Sequence, residues 1–225
     1  YFFLMIVRNK RYTIMRWAAG SVVYKLHDTD LVCVSGDLGA AYMGLQLLER
    51  EKSVYYQQVV EAKKINDKKA LEQLASFQPD FAGKEYLRQR QLKPEARGDI
   101  LKKLHELNIK PTAMMDISDG LSSELMHICT QSGCGCRIFE KNIAIDYQTA
   151  VMAEEMNLNV TTCAMNGGED YELLFTVPIG DHDKIQQLDD VKLIGHITKK
   201  ELGNVLVTRD GNEFELKAQG WNPLA

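Results

Sequence analysis

Long apolar runs are scarce in this chain. The most apolar stretch at either end, Tyr1-Phe2-Phe3-Leu4-Met5-Ile6-Val7, is far too short to span a bilayer. Basic residues follow it at Arg8, Lys10 and Arg11, the reverse of the order in a secretory signal. An excess of positive charge is also lacking. The formal net charge is −4 and the pI about 5.8, which excludes a general nucleic-acid footprint. Cysteines are few and irregular. Five of them, Cys33, Cys129, Cys134, Cys136 and Cys163, form no disulfide framework, and this favours a reducing compartment, the cytoplasm. The Cys134-Gly135-Cys136 pair lacks a second matching pair or a well-spaced histidine, so structural zinc is not expected. Repeats and low-complexity tracts are absent too.

What is present is a composition of 45% hydrophobic and 26% charged residues over 225 positions, enough to bury a substantial core. Asp30 to Ser35 reads as a strand and Leu38 to Glu51 as a helix, with a glycine turn between them. Residues 54–76 also read as helical, up to a break at Phe77-Gln78-Pro79-Asp80. Helical spacing returns at Tyr86–Leu92, Asp99–Leu107, Leu121–Gln131 and near Tyr147–Met156. Strands are expected at Lys110–Met115, from Cys134, from Tyr171, and at Val191–Thr198, Asn204–Thr208 and Phe214–Leu216, with Asp210-Gly211 as a hairpin turn. This mixed order predicts a layered α/β (mixed α+β) domain, a sheet with covering helices.

Two acidic motifs carry chemistry. Met115-Asp116-Ile117-Ser118-Asp119-Gly120 sits between an expected strand and helix, which puts Asp116 at a strand end and lets Ser118 or Asp119 cap the helix. Carboxylate oxygens suit magnesium, and a helix N-terminus favours phosphate. About fifty residues later, Asn166-Gly167-Gly168-Glu169-Asp170-Tyr171-Glu172 leads into Leu173-Leu174-Phe175-Thr176-Val177-Pro178. Its paired glycines allow close backbone approach. Glu169 and Asp170 are expected to project from the turn, and Glu172 to lie inside the strand. Each motif alone is equally an ordinary helix cap or acidic turn.

Together and in this order the motifs resemble the C-terminal domain of the thiamine-monophosphate kinase family, within the superfamily of aminoimidazole ribonucleotide synthetase, selenophosphate synthetase and a hydrogenase maturation protein. Further matches are Val34-Ser35-Gly36-Asp37-Leu38-Gly39-Ala40-Ala41, Leu92-Lys93-Pro94-Glu95-Ala96-Arg97 and Gly220-Trp221-Asn222-Pro223-Leu224. The resemblance covers roughly residues 28–225.

It implies ATP-dependent phosphorylation of thiamine monophosphate to thiamine diphosphate. Asp116 and Asp119 would bind magnesium, Ser118 would contact ATP, and Glu169 and Trp221 would face the thiamine part. No residue is needed as a catalytic base, since a phosphate monoester with a second pKa of roughly 6 is largely ionised at neutral pH. Gly36, Asp37 and Gly39 are expected to serve the turn, and Lys93 and Arg97 to be solvated.

The departures are as informative. The family's N-terminal domain, with its magnesium-binding aspartates and Gly-Gly-Asp-Thr segment, has no counterpart before Asp30. Val23-Tyr24-Lys25-Leu26-His27 stands where the family has an arginine-bearing segment. Residues 1–29 are therefore expected to be a remnant of a missing or altered N-terminal region, and 30–225 the family's C-terminal domain, forming a homodimer only when full length. The chain alone is expected to have little kinase activity. A related ATP-dependent synthetase, or a non-catalytic domain, is the alternative.

Overall fold

A computed structural model describes residues 26–65 and 77–217, with 69 and 74 between them. The apolar Tyr1–Val7 run, Lys25, most of the helix expected over 66–76, and the terminal segment with Trp221 lie outside the described residues.

The core is a seven-stranded mixed sheet in the order β2-β4-β1-β5-β3-β6-β7. Its strands are β1 (Leu31–Ser35), β2 (Ala113–Asp116), β3 (Gly135–Phe139), β4 (Leu173–Val177), β5 (Val191–Thr198), β6 (Asn204–Val207) and β7 (Glu213–Glu215). Neighbours run antiparallel except β3 and β6, which are parallel. Alternate side chains of a strand leave opposite faces, and both faces of β1 are buried. Val32 and Val34 enter one cluster with Leu121, Leu125 and Ile128, whereas Leu31 and Cys33 enter another with Ile100, Leu104 and Ile185. The layered α/β expectation holds.

One face is thus covered by α4 (Leu121–Ser132) and α6 (Val160–Asn166), the other by α3 (Gly98–Glu106) and α7 (His182–Ile185). Phe175, at the centre of the second face, is fully buried, a burial that contributes about 1.5–3 kcal/mol. A third cluster joins α1 (Ala40–Lys64), α2 (Glu85–Leu92) and α5 (Tyr147–Glu155) through Met43, Leu47, Leu87 and Met152.

Several boundaries differ from the sequence reading. The helix expected to end at Glu51 runs on to Lys64, because neither glycine nor proline interrupts residues 45–64. The first strand of the acidic motif is shorter than expected and begins at Ala113, beyond Pro111, whose ring nitrogen cannot donate to the ladder. Helix α6 was not anticipated. Its Val160-Thr161-Thr162 start is β-branched, but the Asn159 side chain caps it, accepting from the Thr162 amide at 2.8 Å.

Candidate functional site

The sheet order puts β2 beside β4, and that adjacency brings the two acidic motifs together. Asp116 is the last residue of β2 and pairs with Leu173, the first of β4. Beyond the strands the pairing continues through the loops. The Ile117 amide donates to the Glu172 carbonyl at 2.8 Å, the Tyr171 amide to the Ile117 carbonyl at 2.9 Å, and the Glu169 amide to the Ser118 carbonyl at 2.8 Å. Gly168 is required at this seam: its φ is +70°, and a Cβ there would stand 2.6 Å from the Ser118 carbonyl oxygen. Glu169 and Tyr171 also hold positive φ, 63° and 52°, an unusual backbone for residues with a Cβ and one often found at functional turns.

Asp116, Ser118, Asp119 and Glu169 therefore share one rim. Asp116 is half-buried; Asp119 and Glu169 are exposed. The Glu169 carboxylate accepts from the Tyr171 hydroxyl at 2.9 Å. Among the described residues, neither the Asp116 nor the Asp119 carboxylate has a hydrogen-bond donor or a cation as partner. As unengaged hard oxygen donors they suit magnesium, which commonly takes one or two carboxylates and completes its shell with water and phosphate oxygens. Among the described residues no group of three or more histidine, cysteine, aspartate or glutamate side chains is arranged to hold a metal by itself.

The helix cap departs from expectation. Neither Ser118 nor Asp119 caps α4; Gly120, at φ +112°, occupies the N-cap without a side chain to offer. The cap works in reverse. Buried Glu124, in the first turn, reaches back so that its Oε1 accepts from the Asp119 amide at 2.9 Å and the Ser118 amide at 3.2 Å. The Ser118 hydroxyl also faces that oxygen, at 3.3 Å. Two amides at this helix mouth are thus already satisfied.

Asp170 and Glu172 differ from the sequence reading as well. Asp170 does not project; it is 1% exposed, because it turns inward to the start of α1 and accepts from the Gly39 amide at 2.9 Å and the Ala41 amide at 3.2 Å. Burial pushes its carboxyl up to about 7, against the opposing pull of those amides and of Arg90. Glu172 precedes β4 rather than lying within it, and it is buried between two guanidiniums, Arg97 at 2.6 Å and Arg90 at 3.1 Å. The Ser35 hydroxyl donates to it too, while Ser35 Oγ accepts from the Leu173 amide at 2.8 Å. Burial raises the Glu172 pKa, and the hydroxyl and the arginines offset that.

Arg97 is therefore not solvated, since buried Glu172 and the nearby Asp99 claim its guanidinium. Burial works against its charge, but the two carboxylates outweigh it and hold the pKa above the ordinary arginine value. Lys93 is exposed, as expected. The glycine turn serves structure: Asp37 Oδ2 accepts from the Tyr86 hydroxyl at 2.5 Å and its carbonyl from Arg90 at 3.1 Å. Arg90 and Glu124 were missed as contributors to the site. Arg97 ends the Leu92–Arg97 segment, but nothing in its spacing joins it to Glu172, 75 residues away.

No family model matches the chain. The fold is nevertheless shared with a structure of E. coli HypE, a hydrogenase maturation protein, which aligns with a TM-score of 0.60 over 91% of this chain and 54% of its own, at 15% identity. Nearer in sequence, the structure of AaThiL complexed with AMPPCP and TMP aligns with a TM-score of 0.65 at 29% identity, covering 90% of this chain and 53% of that one. The thiamine-monophosphate kinase of Aquifex aeolicus is 32% identical over 192 residues, 85% of this chain and 51% of its own; that of Pyrococcus abyssi is 31% identical over 198 residues, 87% and 50%. The chain is a relative of the thiamine-monophosphate kinases and spans about half the length of those it matches.

Proposed function

We propose that this chain supplies the acidic part of a site that phosphorylates thiamine monophosphate to thiamine diphosphate at the expense of ATP. The observation that carries this reading is the backbone seam between Ile117-Ser118 and Glu169–Glu172, which sets two carboxylate-bearing loops side by side. The kinases it resembles, and the AMPPCP and TMP in the AaThiL complex, support the same chemistry.

In this reading residues 30–225 are one domain, and Asp116 and Asp119 would hold magnesium, which neutralises phosphate charge. Ser118 contacts ATP; Glu169 and Trp221 face the thiamine part, where a carboxylate balances a cationic ring and an aromatic face stacks on it. The acceptor phosphate needs no dedicated base, so the residues' work is alignment and charge placement. ATP and thiamine monophosphate are the partners, the compartment is the cytoplasm, and a longer protein of this kind forms a homodimer.

Thermal denaturation with magnesium-ATP, and separately with thiamine monophosphate, tests the reading. A ligand at 100 times its Kd adds about 2.7 kcal/mol to stability, which for a domain of this size raises the Tm by roughly 5–10 °C. The wild-type chain is expected to respond to magnesium-ATP and Asp116→Asn to respond much less. A flat response to both ligands would sink this proposal in favour of a non-catalytic domain.

A further inference from the structure

Cys129, Cys134 and Cys136 play no part in the acidic site, yet they meet at the opposite end of α4. That helix stops in a left-handed residue, Gly133. The Cys134 amide donates to the Cys129 carbonyl at 3.0 Å and the Gly133 amide to the Thr130 carbonyl at 3.4 Å, the bond pair of a Schellman motif. In that motif the side chain before the turn packs on the one just after it, ordinarily as an apolar contact. Here both positions are cysteine. Cys129 and Cys136 belong to one apolar cluster, and Cys134 packs against it. Cys129 and Cys136 are buried, whereas Cys134 is half-buried, the most exposed residue of the three. Cys33 and Cys163 lie elsewhere, in the two other apolar clusters.

We propose that Cys129 and Cys134 are a dithiol that closes to an intramolecular disulfide when a low-molecular-weight disulfide supplies the oxidising equivalents, which makes the C-terminal turn of α4 a redox modification site. Cys134 gives up its proton and its sulfur attacks oxidised glutathione, forming a mixed disulfide and expelling one glutathione thiolate. Cys129 then loses its proton and attacks the Cys134 sulfur, expelling the second. Two protein thiols are oxidised and one glutathione disulfide is reduced to two thiols. The competing Cys134–Cys136 bond is disfavoured, because an extended backbone sets residues two apart at roughly 6.6 Å, near the limit a disulfide tolerates.

The couple is slow. The neighbouring Cys134 thiol favours a Cys129 thiolate, but Cys136 and burial outweigh it and push that thiol up to about 12; Cys129 and burial raise Cys134 as well. Little thiolate exists at neutral pH, so brief exposure to oxidant leaves the pair reduced and only equilibration reveals it.

The test is to equilibrate the whole chain in glutathione buffers of graded ratio, quench in acid, and block free thiols with N-ethylmaleimide. Reduction and labelling with deuterated N-ethylmaleimide then mark every cysteine that was in a disulfide. The expected result is an intact mass two hydrogens lower in oxidising buffer, with the second label on Cys129 and Cys134 and the first on Cys33, Cys136 and Cys163. Cys134→Ser should remove the second label from Cys129, and Cys33→Ser should leave it. Second label on Cys136 in place of Cys134, a persistent glutathione adduct on Cys134, or no second label in fully oxidised buffer would overturn the proposal.

Discussion

At the scale of single residues, two buried carboxylates behind the acidic rim, Asp170 and Glu172, set the local electrostatics. Asp170 is buried with its carboxyl pushed up to about 7, whereas in the unfolded chain it titrates near 3.9. Between those values the folded state binds more protons than the unfolded one, so this group's contribution to stability falls as pH rises from about 4 to 7. The change amounts to about 4 kcal/mol at most. Asp170→Asn does not titrate, so the stability of the wild type relative to this variant should decline over that window, as followed by urea denaturation at stepped pH. Parallel pH profiles would show that Asp170 ionises normally. Glu172 answers two guanidiniums and a hydroxyl, and removing one member of a buried ionic cluster costs about 3–5 kcal/mol. Glu172→Ala should lower the urea midpoint accordingly; a loss below about 1 kcal/mol would mean that water already screens the cluster. Both effects escape the sequence, because acidic letters beside glycines look alike whether they face water or the start of a distant helix.

Among the elements, the contact between α1 and α2 is set by Gly44. Alanine is the better helix former by about 1 kcal/mol, so an exposed Gly44 would be improved by the exchange. In the fold, however, a Cβ at this position would come within 2.2 Å of the Leu87 carbonyl oxygen, a backbone atom that cannot swing aside. The clash outweighs the propensity, and Gly44→Ala is expected to lower the Tm. Calorimetry decides the sign, and a raised Tm would show that the helices can part at little cost. The element types were mostly legible, since α4 buries Leu121, Leu125, Ile128 and Cys129 at helical spacing and β1 is a short apolar run flanked by turn residues. Element ends were less so: the Asn159 cap overrode β-branched residues at α6, and Glu124 rather than Ser118 closed the mouth of α4.

Over the whole molecule, the chain matches about half the length of its kinase relatives, and its described residues gather no complete metal site. Under the proposed function, in which this chain supplies only the acidic part of the site, it is expected to turn over ATP with thiamine monophosphate at less than about one hundredth of the rate of a full-length relative, the loss that a few kcal/mol of transition-state stabilisation produces. A coupled assay measures this, and a rate near that of the relative would refute it. The sequence by itself determined the layered α/β class, the two acidic motifs and the kinship they imply, because alternation, helical spacing and short motifs are local properties of the chain. Only the tertiary structure decided which carboxylates face solvent and which are buried, and that Arg90 and Arg97 converge on Glu172. Those outcomes depend on the sheet order, which sets β2, β4 and β1 side by side across more than a hundred residues of chain.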